Sequence, residues 1–206
     1  MARLLTIDPA RPEPDRIQAV LAVLEQGLPV VVPTETVYGL ACRPDLPDAE
    51  QRVYAVKERP ENKPLPRMTA SVEQVRAQTT GWPDGVDRIA RRFWPGPLTL
   101  ILPTAGGTRA FRIPDHPVLL ALLAAAPAPL AVTSANLSGG REARSAAEAA
   151  AELGDRVTLI VDAGPARIGQ ASTIVDLCHG PPRILRAGAI SEQALLDAWQ
   201  EPGPAN

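Results

Sequence analysis

Two pairs of side chains spaced i, i+2 carry much of the chemistry this sequence offers: Lys57-x-Arg59 and Ser134-x-Asn136. Pro60 biases Arg59 toward an extended backbone. If residues 57 to 59 are extended, alternate side chains share a face and both cations point at one target. Two cations aimed together suit an anion, above all a phosphate. An extended 134 to 136 segment likewise turns its hydroxyl and amide to one side, and beside two cations these suit oriented binding of phosphate oxygens. Gly139 and Gly140 follow, where backbone N–H groups could approach such a ligand closely. Further polar residues end or follow predicted strands: Thr34 and Thr36, Arg112, and Ser172 with Arg186.

Taken singly, each has an ordinary explanation. Lys57 and Arg59 suit a solvated helix end, since cations favour a helix C-terminus. Thr34 and Thr36 could be turn residues, Ser134 and Asn136 could open a turn or helix, and Arg186 could be a surface arginine. Against five coincidences stands the repeated arrival of polar groups at strand ends, where open α/β folds bind ligands. Other chemistries lack their parts. His116 opens a predicted helix and reads as a cap, and the pair Cys178-His179 is too small for a metal site. Asp162 and Asp176 end strands and could reach a metal, though carboxylates at strand ends are commonly structural. There is no Gly-x-Ser-x-Gly elbow and no Walker loop, and two histidines so placed make a Ser-His-Asp hydrolase improbable.

The elements that must position these groups follow from periodicity. Val30-Val31-Val32 is a buried strand, stopped by Pro33, which delivers Thr34-Glu35-Thr36 into a turn ending at Gly39. Residues 15 to 26 place Ile17, Val20, Leu21 and Leu24 on one helix face, with Gly27 as the stop. A helix runs from Pro47-Asp48 to Lys57, and others cover 86 to 93 and 116 to 125. Ser71 with Gln74 and Ser145 with Glu148 form capping boxes, and Ser191 caps a last helix to Trp199. Strands are expected at 65–69, 98–102, 110–113, 130–133, 159–161, 172–176 and 183–185. Strands and helices interleave, so the class is α/β. The last three strands have little between them, which predicts hairpins and a mixed sheet.

Composition sets outer bounds. The chain has 206 residues, 45% of them hydrophobic but only 3% aromatic, so aliphatic packing fills the core. One domain spanning 1–206 is expected, its core at about 15–190, with a short C-terminal helix and a Pro-Gly-Pro tail at 202–204. A net charge of -2 argues against a broad basic face for nucleic acid. Two cysteines, Cys42 and Cys178, make neither a zinc pattern nor a disulfide framework. The first residues lack the apolar run of a signal peptide, and no run reaches the ~20 residues of a membrane span. A cytoplasmic location is the expectation.

In this order, these residues resemble the YrdC-like family of threonylcarbamoyl-AMP synthases. The matching segments are PTETVYGL (33–40), KERPENKPL (57–65), FWPGPLTLIL (93–102), FRIPDHP (111–117), TSANLSG (133–139), the stretch 164–176 and ILRAGAI (184–190). They cover roughly residues 15 to 190. The resemblance implies a twisted, mixed α/β sheet flanked by helices and curled around a concave, positively charged cavity. It implies a nucleotidyltransferase that condenses L-threonine, bicarbonate and ATP, with Mg²⁺, into threonylcarbamoyl-AMP and pyrophosphate. The product would feed threonylcarbamoyladenosine modification of tRNA through a downstream transfer complex, with weak direct tRNA binding possible and no membrane partner.

Residue by residue, the resemblance puts Lys57, Arg59, Ser134 and Asn136 in catalysis and around the nucleotide, with Lys63, Thr108 and Arg186 as further ATP contacts. Thr34, Thr36, Arg112 and Ser172 would hold threonine, Arg112 pairing its carboxylate. No protein metal ligand is implied. The chain looks like the short form, without the extra C-terminal domain of longer members. It departs from the pattern at Met68, where longer members carry a histidine, at Lys63, where asparagine is usual, and at 141–144, which lacks a Pro/Thr-rich run. Threonine selectivity would then rest on Thr36, Ser172 and pocket shape. The competing readings are a carbamoyl or adenylyl transferase with another acceptor, an RNA-binding or ribosome-maturation factor, and a ligand-binding protein without catalysis. Net charge and few aromatics count against RNA; the retained Lys57, Arg59, Ser134 and Asn136 count against the last.

Overall fold

Short aliphatic runs punctuated by proline and glycine build one mixed sheet. The computed structural model describes residues 1–201, so the tail expected at 202–204 lies outside the described residues. The strands are β1 (Arg3–Thr6), β2 (Val30–Val32), β3 (Gly39–Cys42), β4 (Arg67–Met68), β5 (Leu98–Thr104), β6 (Gly107–Arg112), β7 (Leu130–Ser134), β8 (Leu159–Asp162), β9 (Thr173–Asp176) and β10 (Arg183–Arg186). Across the sheet they run β1-β8-β2-β3-β7-β4-β6-β5-β9-β10.

Among the described residues seven helices cover it: α1 (Pro14–Leu24), α2 (Ala49–Lys57), α3 (Val72–Arg76), α4 (Val86–Phe93), α5 (Pro117–Ala125), α6 (Ala146–Leu153) and α7 (Glu192–Gln200). The serine caps form as expected: Gln74 N, Glu148 N and Ala194 N donate to Ser71, Ser145 and Ser191 Oγ at 3.4, 3.1 and 3.3 Å. Gly27 closes the turn after α1 at φ 71°, a conformation that glycine adopts without steric cost.

The helices are distributed unevenly, and that makes the site. Ile17, Val20, Leu21 and Leu24 of α1 and Leu119, Leu122 and Leu123 of α5 pack on one face of the β1-to-β7 half, against Val30, Val32 and Val132. Val53 of α2 and Ala149 and Leu153 of α6 cover the opposite face, against Val31, Leu40, Ala131 and Ile160. That half is buried on both sides. In the other half, Val75, Ile89, Ala90 and Leu195 of α3, α4 and α7 pack onto Leu98, Leu100, Leu102, Phe111 and Val175. Strand side chains alternate, so Thr99, Ile101, Ala110, Arg112 and Ile174 face the other way, into an open cavity. Burying a large aliphatic side chain is worth about 1.5–3 kcal/mol, so a core face would collect leucine and valine. This face instead sets Thr99 and Arg112 among Ile101, Ala110 and Ile174, a mixture that a binding surface carries.

Several expectations are corrected. β1 and β3 were not expected. β1 is largely exposed (RLLT) and exists through its parallel pairing with β8, while β3 begins where a turn was expected to end. The last three strands do not form successive hairpins. β8 pairs in parallel with β1 and β2, β9 pairs in parallel with β5, and of these three strands' pairings that of β9 with β10 alone is antiparallel. His116 occupies the N-cap position of α5 but makes no side-chain cap bond. Asp162 and Asp176 are structural as read: Asp162 accepts from Gly164 N, and Asp176 accepts from Cys178 N and Arg183.

Candidate active site

Pro33 ends the pairing of β2, and the chain turns on Thr34. Thr34 Oγ1 accepts from Thr36 N at 3.1 Å and Val37 N at 3.2 Å and donates to Val37 O at 2.7 Å. Its single proton is thereby spent. Thr36 Oγ1, 2.8 Å away, must donate to it, which leaves the Thr36 hydroxyl as an acceptor for Arg112 Nη2 at 2.8 Å. Arg112 ends β6, also donates from Nε to Gly96 O at 3.2 Å, and is 4% exposed.

Behind Arg112 sits Glu35, 1% exposed, with Oε1 2.8 Å from Arg112 Nη2. The approach is off the N–H axis, so neither carboxylate oxygen accepts a well-directed hydrogen bond among the described residues. Glu35 is the residue that sequence reasoning passed over. It lies between two recognised threonines, and only the meeting of β6 with this turn reveals its partner. His116 is also buried there, its Nδ1 unpartnered, and burial lowers its pKa although Glu35 raises it. An imidazole so placed does not serve a reacting group in the cavity.

The second wall comes from β5, β9 and β10. Ser172 Oγ lies 2.8 Å from Thr99 Oγ1. Arg186 Nη2 donates to Ser172 O at 2.8 Å and to Ser172 Oγ at 3.1 Å. The β10 register shifts between Ile184 and Arg186, a bulge that brings both Leu185 and Arg186 to the cavity. Gly188 lets the chain after β10 pass against β9, for a Cβ there would sit 2.5 Å from Ala171 O and Thr173 N. Burial depresses the Arg186 pKa, and Arg112 and Arg59 depress it further while Glu142 raises it, so three guanidinium groups feel one another across a shared space.

Lys57 and Arg59 are arranged otherwise than expected. Lys57 is the last residue of α2, and Glu58 takes a left-handed conformation at φ 51°, so the segment is not extended. The two cations part. Lys57 is 1% exposed and turns inward, where Nζ donates to Ser134 O, to Asn136 O at 2.5 Å and to Asn136 Oδ1 at 3.4 Å. Burial, helped by Arg59, pushes its pKa down to about 8. Arg59 lines the cavity, its Nε and Nη2 donating to Lys63 O at 3.1 Å and Pro64 O at 3.4 Å. Asn136 also lies behind the wall, its Nδ2 donating to Leu137 O and Gly140 O, both at 2.8 Å. Gly140 N is spent on Leu137 O at 2.9 Å.

The cavity has a volume of about 310 Å³. Of the residues singled out in the sequence, Thr34, Thr36, Arg59, Arg112, Ser134, Ser172 and Arg186 line it. Lys57 and Asn136 brace its wall from behind. Lys63 and Thr108 are exposed and do not line it: Lys63 contributes its carbonyl to Arg59, and Thr108 pairs with Pro103 in the β5–β6 hairpin. Met68 does line it, beside Arg112 in the β4–β6 register. Among the described residues no group of three His, Cys, Asp or Glu could hold a metal ion, so a divalent cation would fit here only if substrate oxygens supplied most of its ligands. Among the described residues the lining offers arginines and hydroxyls and no histidine, a set of groups suited to anions rather than to proton transfer.

The architecture is α/β: a mixed sheet, half-covered by helices, whose open face gathers arginine and hydroxyl groups. The chain belongs to the Sua5/YciO/YrdC family, whose model, described as telomere recombination, matches residues 22–188. It is 39% identical over 87% of its length to the threonylcarbamoyl-AMP synthase of Bacillus subtilis, of which it covers 55%. It is 36% identical over 93% of its length to a putative threonylcarbamoyl-AMP synthase of Mycobacterium tuberculosis, of which it covers 94%. The crystal structure of Pyrococcus abyssi Sua5 complexed with L-threonine superposes with a TM-score of 0.91 at 33% identity, covering 96% of this chain and 61% of that one. The chain thus spans about half the length of the Bacillus and Pyrococcus relatives.

Proposed function

We propose that this chain is an L-threonylcarbamoyladenylate synthase working as one YrdC-like unit in the cytoplasm. The observation that carries the reading is the convergence of Arg59, Arg112 and Arg186 with Thr36, Ser134 and Ser172 on one open sheet face. The names of its relatives, and the threonine in the Pyrococcus complex, supply the substrates.

In this reading Arg112, held by Thr36, takes the amino-acid carboxylate, and Ser172 and Thr34 shape its side of the cavity. The threonine amine adds to bicarbonate, water leaves, and the carbamate oxygen attacks the α-phosphorus of ATP. The bond to the β-phosphate oxygen breaks and pyrophosphate departs. Cations and fixed donors carry such a step, since charge rather than a proton must be managed. Arg59 and Arg186 would face the phosphates with Ser134. Lys57 and Asn136 become positioning residues, because their polar groups hold the 134–140 backbone. A Mg²⁺ bound to the phosphates would offset the charge of the departing pyrophosphate, with Glu142 the carboxylate of the cavity wall nearest in kind to a ligand. The adenylate would pass to a tRNA-modifying transfer complex.

Met68 beside Arg112 favours a second reading, in which the acceptor amino acid differs from threonine. Pyrophosphate release measured across amino acids, with bicarbonate present or withheld, separates the two. Release that needs both threonine and bicarbonate supports the first; another amino acid in the lead supports the second. No release with any of them overturns both.

A further inference from the structure

Glu142 is the only acid among the residues lining the cavity, where Arg59, Arg112 and Arg186 are the cations. The chain on both sides of it is pinned. Before it, Asn136 Nδ2 holds Gly140 O at 2.8 Å and Leu137 N donates to Glu152 Oε2 at 3.0 Å. After it, buried Ala143 accepts from Tyr38 N at 2.8 Å, and Arg144 N donates to Glu148 Oε2 at 2.7 Å. The Tyr38 hydroxyl in turn donates to Gly164 O at 2.6 Å. Glu142 is therefore presented to the cavity by an ordered segment.

Its own carboxylate makes no hydrogen bond or ion pair among the described residues. The neighbouring cations have other partners: Arg59 the carbonyls of Lys63 and Pro64, Arg186 the carbonyl and hydroxyl of Ser172, and Lys57 the carbonyls of Ser134 and Asn136. Burial lowers the pKa of Lys57 and of Arg186, and the field of Glu142 opposes that lowering in both. Arg186 belongs to the Ser172 wall and Lys57 lies behind Ser134, whereas Arg112 has Glu35 as its counter-ion.

An unpaired carboxylate on the wall of a polyphosphate site repels the bare ligand. It stops repelling when a divalent cation rides on the phosphates, because that ion takes one or two carboxylates and completes its shell from phosphate and water. We propose that Glu142 selects the metal-loaded triphosphate, acting as the protein's ligand to a cation that arrives with the nucleotide and turning away the metal-free form. This rests on the reading of the cavity as a nucleotide site. Selection by a repulsive group is a common route to specificity.

The test is the affinity of the whole chain for ATP, without amino acid, by calorimetry in Mg²⁺ and in EDTA, for the parent and for Glu142→Gln. The parent should prefer the Mg²⁺ form by about tenfold or more, the scale on which like charges discriminate partners. In Glu142→Gln the preference should collapse, the metal-free form binding more tightly and the Mg²⁺ form more weakly. With Mn²⁺ in place of Mg²⁺, the relaxation enhancement of water protons in the ATP complex should fall in the variant. An unchanged preference, or a parent with none, overturns the proposal. Threonine binding in the variant reports that the cavity is intact. A parent that binds ATP in neither condition instead removes the nucleotide reading on which the proposal stands.

Discussion

Lys57→Met tests whether the ammonium of the Lys-x-Arg pair is a buried clasp or a phosphate ligand. The substitution keeps the volume and removes the charge. Two effects oppose each other near neutral pH. The carbonyls of Ser134 and Asn136 lose their donor, at about 1–3 kcal/mol each. Against that, burial has lowered the Lys57 pKa from 10.5 to about 8, which corresponds to a cost of about 3 kcal/mol for keeping it charged in the fold. The variant should therefore lie within about 3 kcal/mol of the parent at about pH 7.5.

The diagnostic is what pH does to that difference. Between the folded pKa of about 8 and the unfolded 10.5, the unfolded chain binds more protons at Lys57 than the folded chain. Stability contributed by this site therefore rises with pH through that window and is lowest below it. From about pH 7.5 to about pH 9.5 the parent should gain about 2 kcal/mol over Lys57→Met, groups common to both chains cancelling in the difference. Urea unfolding of the two chains at several pH values measures it. A difference that stays flat means that the fold carries no net cost for the charged ammonium, and the burial argument is then wrong.

Two further outcomes are expected. Glu35→Ala breaks a buried pair and strands Arg112, so denaturant unfolding should report a loss of about 3–5 kcal/mol together with weaker threonine binding; a change within about 0.5 kcal/mol would mean that Glu35 does not hold Arg112. Arg59→Ala removes a half-buried cation whose side-chain hydrogen bonds, among the described residues, go to Lys63 O and Pro64 O, so the melting temperature should move little while pyrophosphate release falls about 10²–10³-fold, and near-normal adenylate formation would overturn its assignment.

What could be read from the sequence divides along a physical line. α1, β2 and the serine-capped helices follow from contacts within a few residues of one another, and periodicity and capping report those directly. β1 and β3 are strands because of what they pair with, and neither Arg3–Thr6 nor Gly39–Cys42 carries a strong alternation of its own. The same line runs through the site. Hydroxyls and arginines at the ends of elements were visible as types, and seven of them line one cavity. Their division of labour was not visible. Glu58 takes a left-handed turn, so the i, i+2 rule that should have aimed Lys57 and Arg59 together sends one into the wall and leaves the other on it.

That division explains why a Lys-x-Arg pair and a Ser-x-Asn pair, 77 residues apart, act as one unit. Lys57 holds the Ser134 and Asn136 carbonyls, and its own carbonyl accepts Ser138 N at 2.8 Å, so the end of α2 and the turn after β7 are sewn together in both directions. The stitch keeps Ser134 facing the cavity while Arg59, two residues past the clasp, enters from the neighbouring loop. A bare cation at position 57 would have added charge to the cavity. A buried one holds the geometry on which the other charges depend, and it can do so only because three oxygen acceptors meet its three protons.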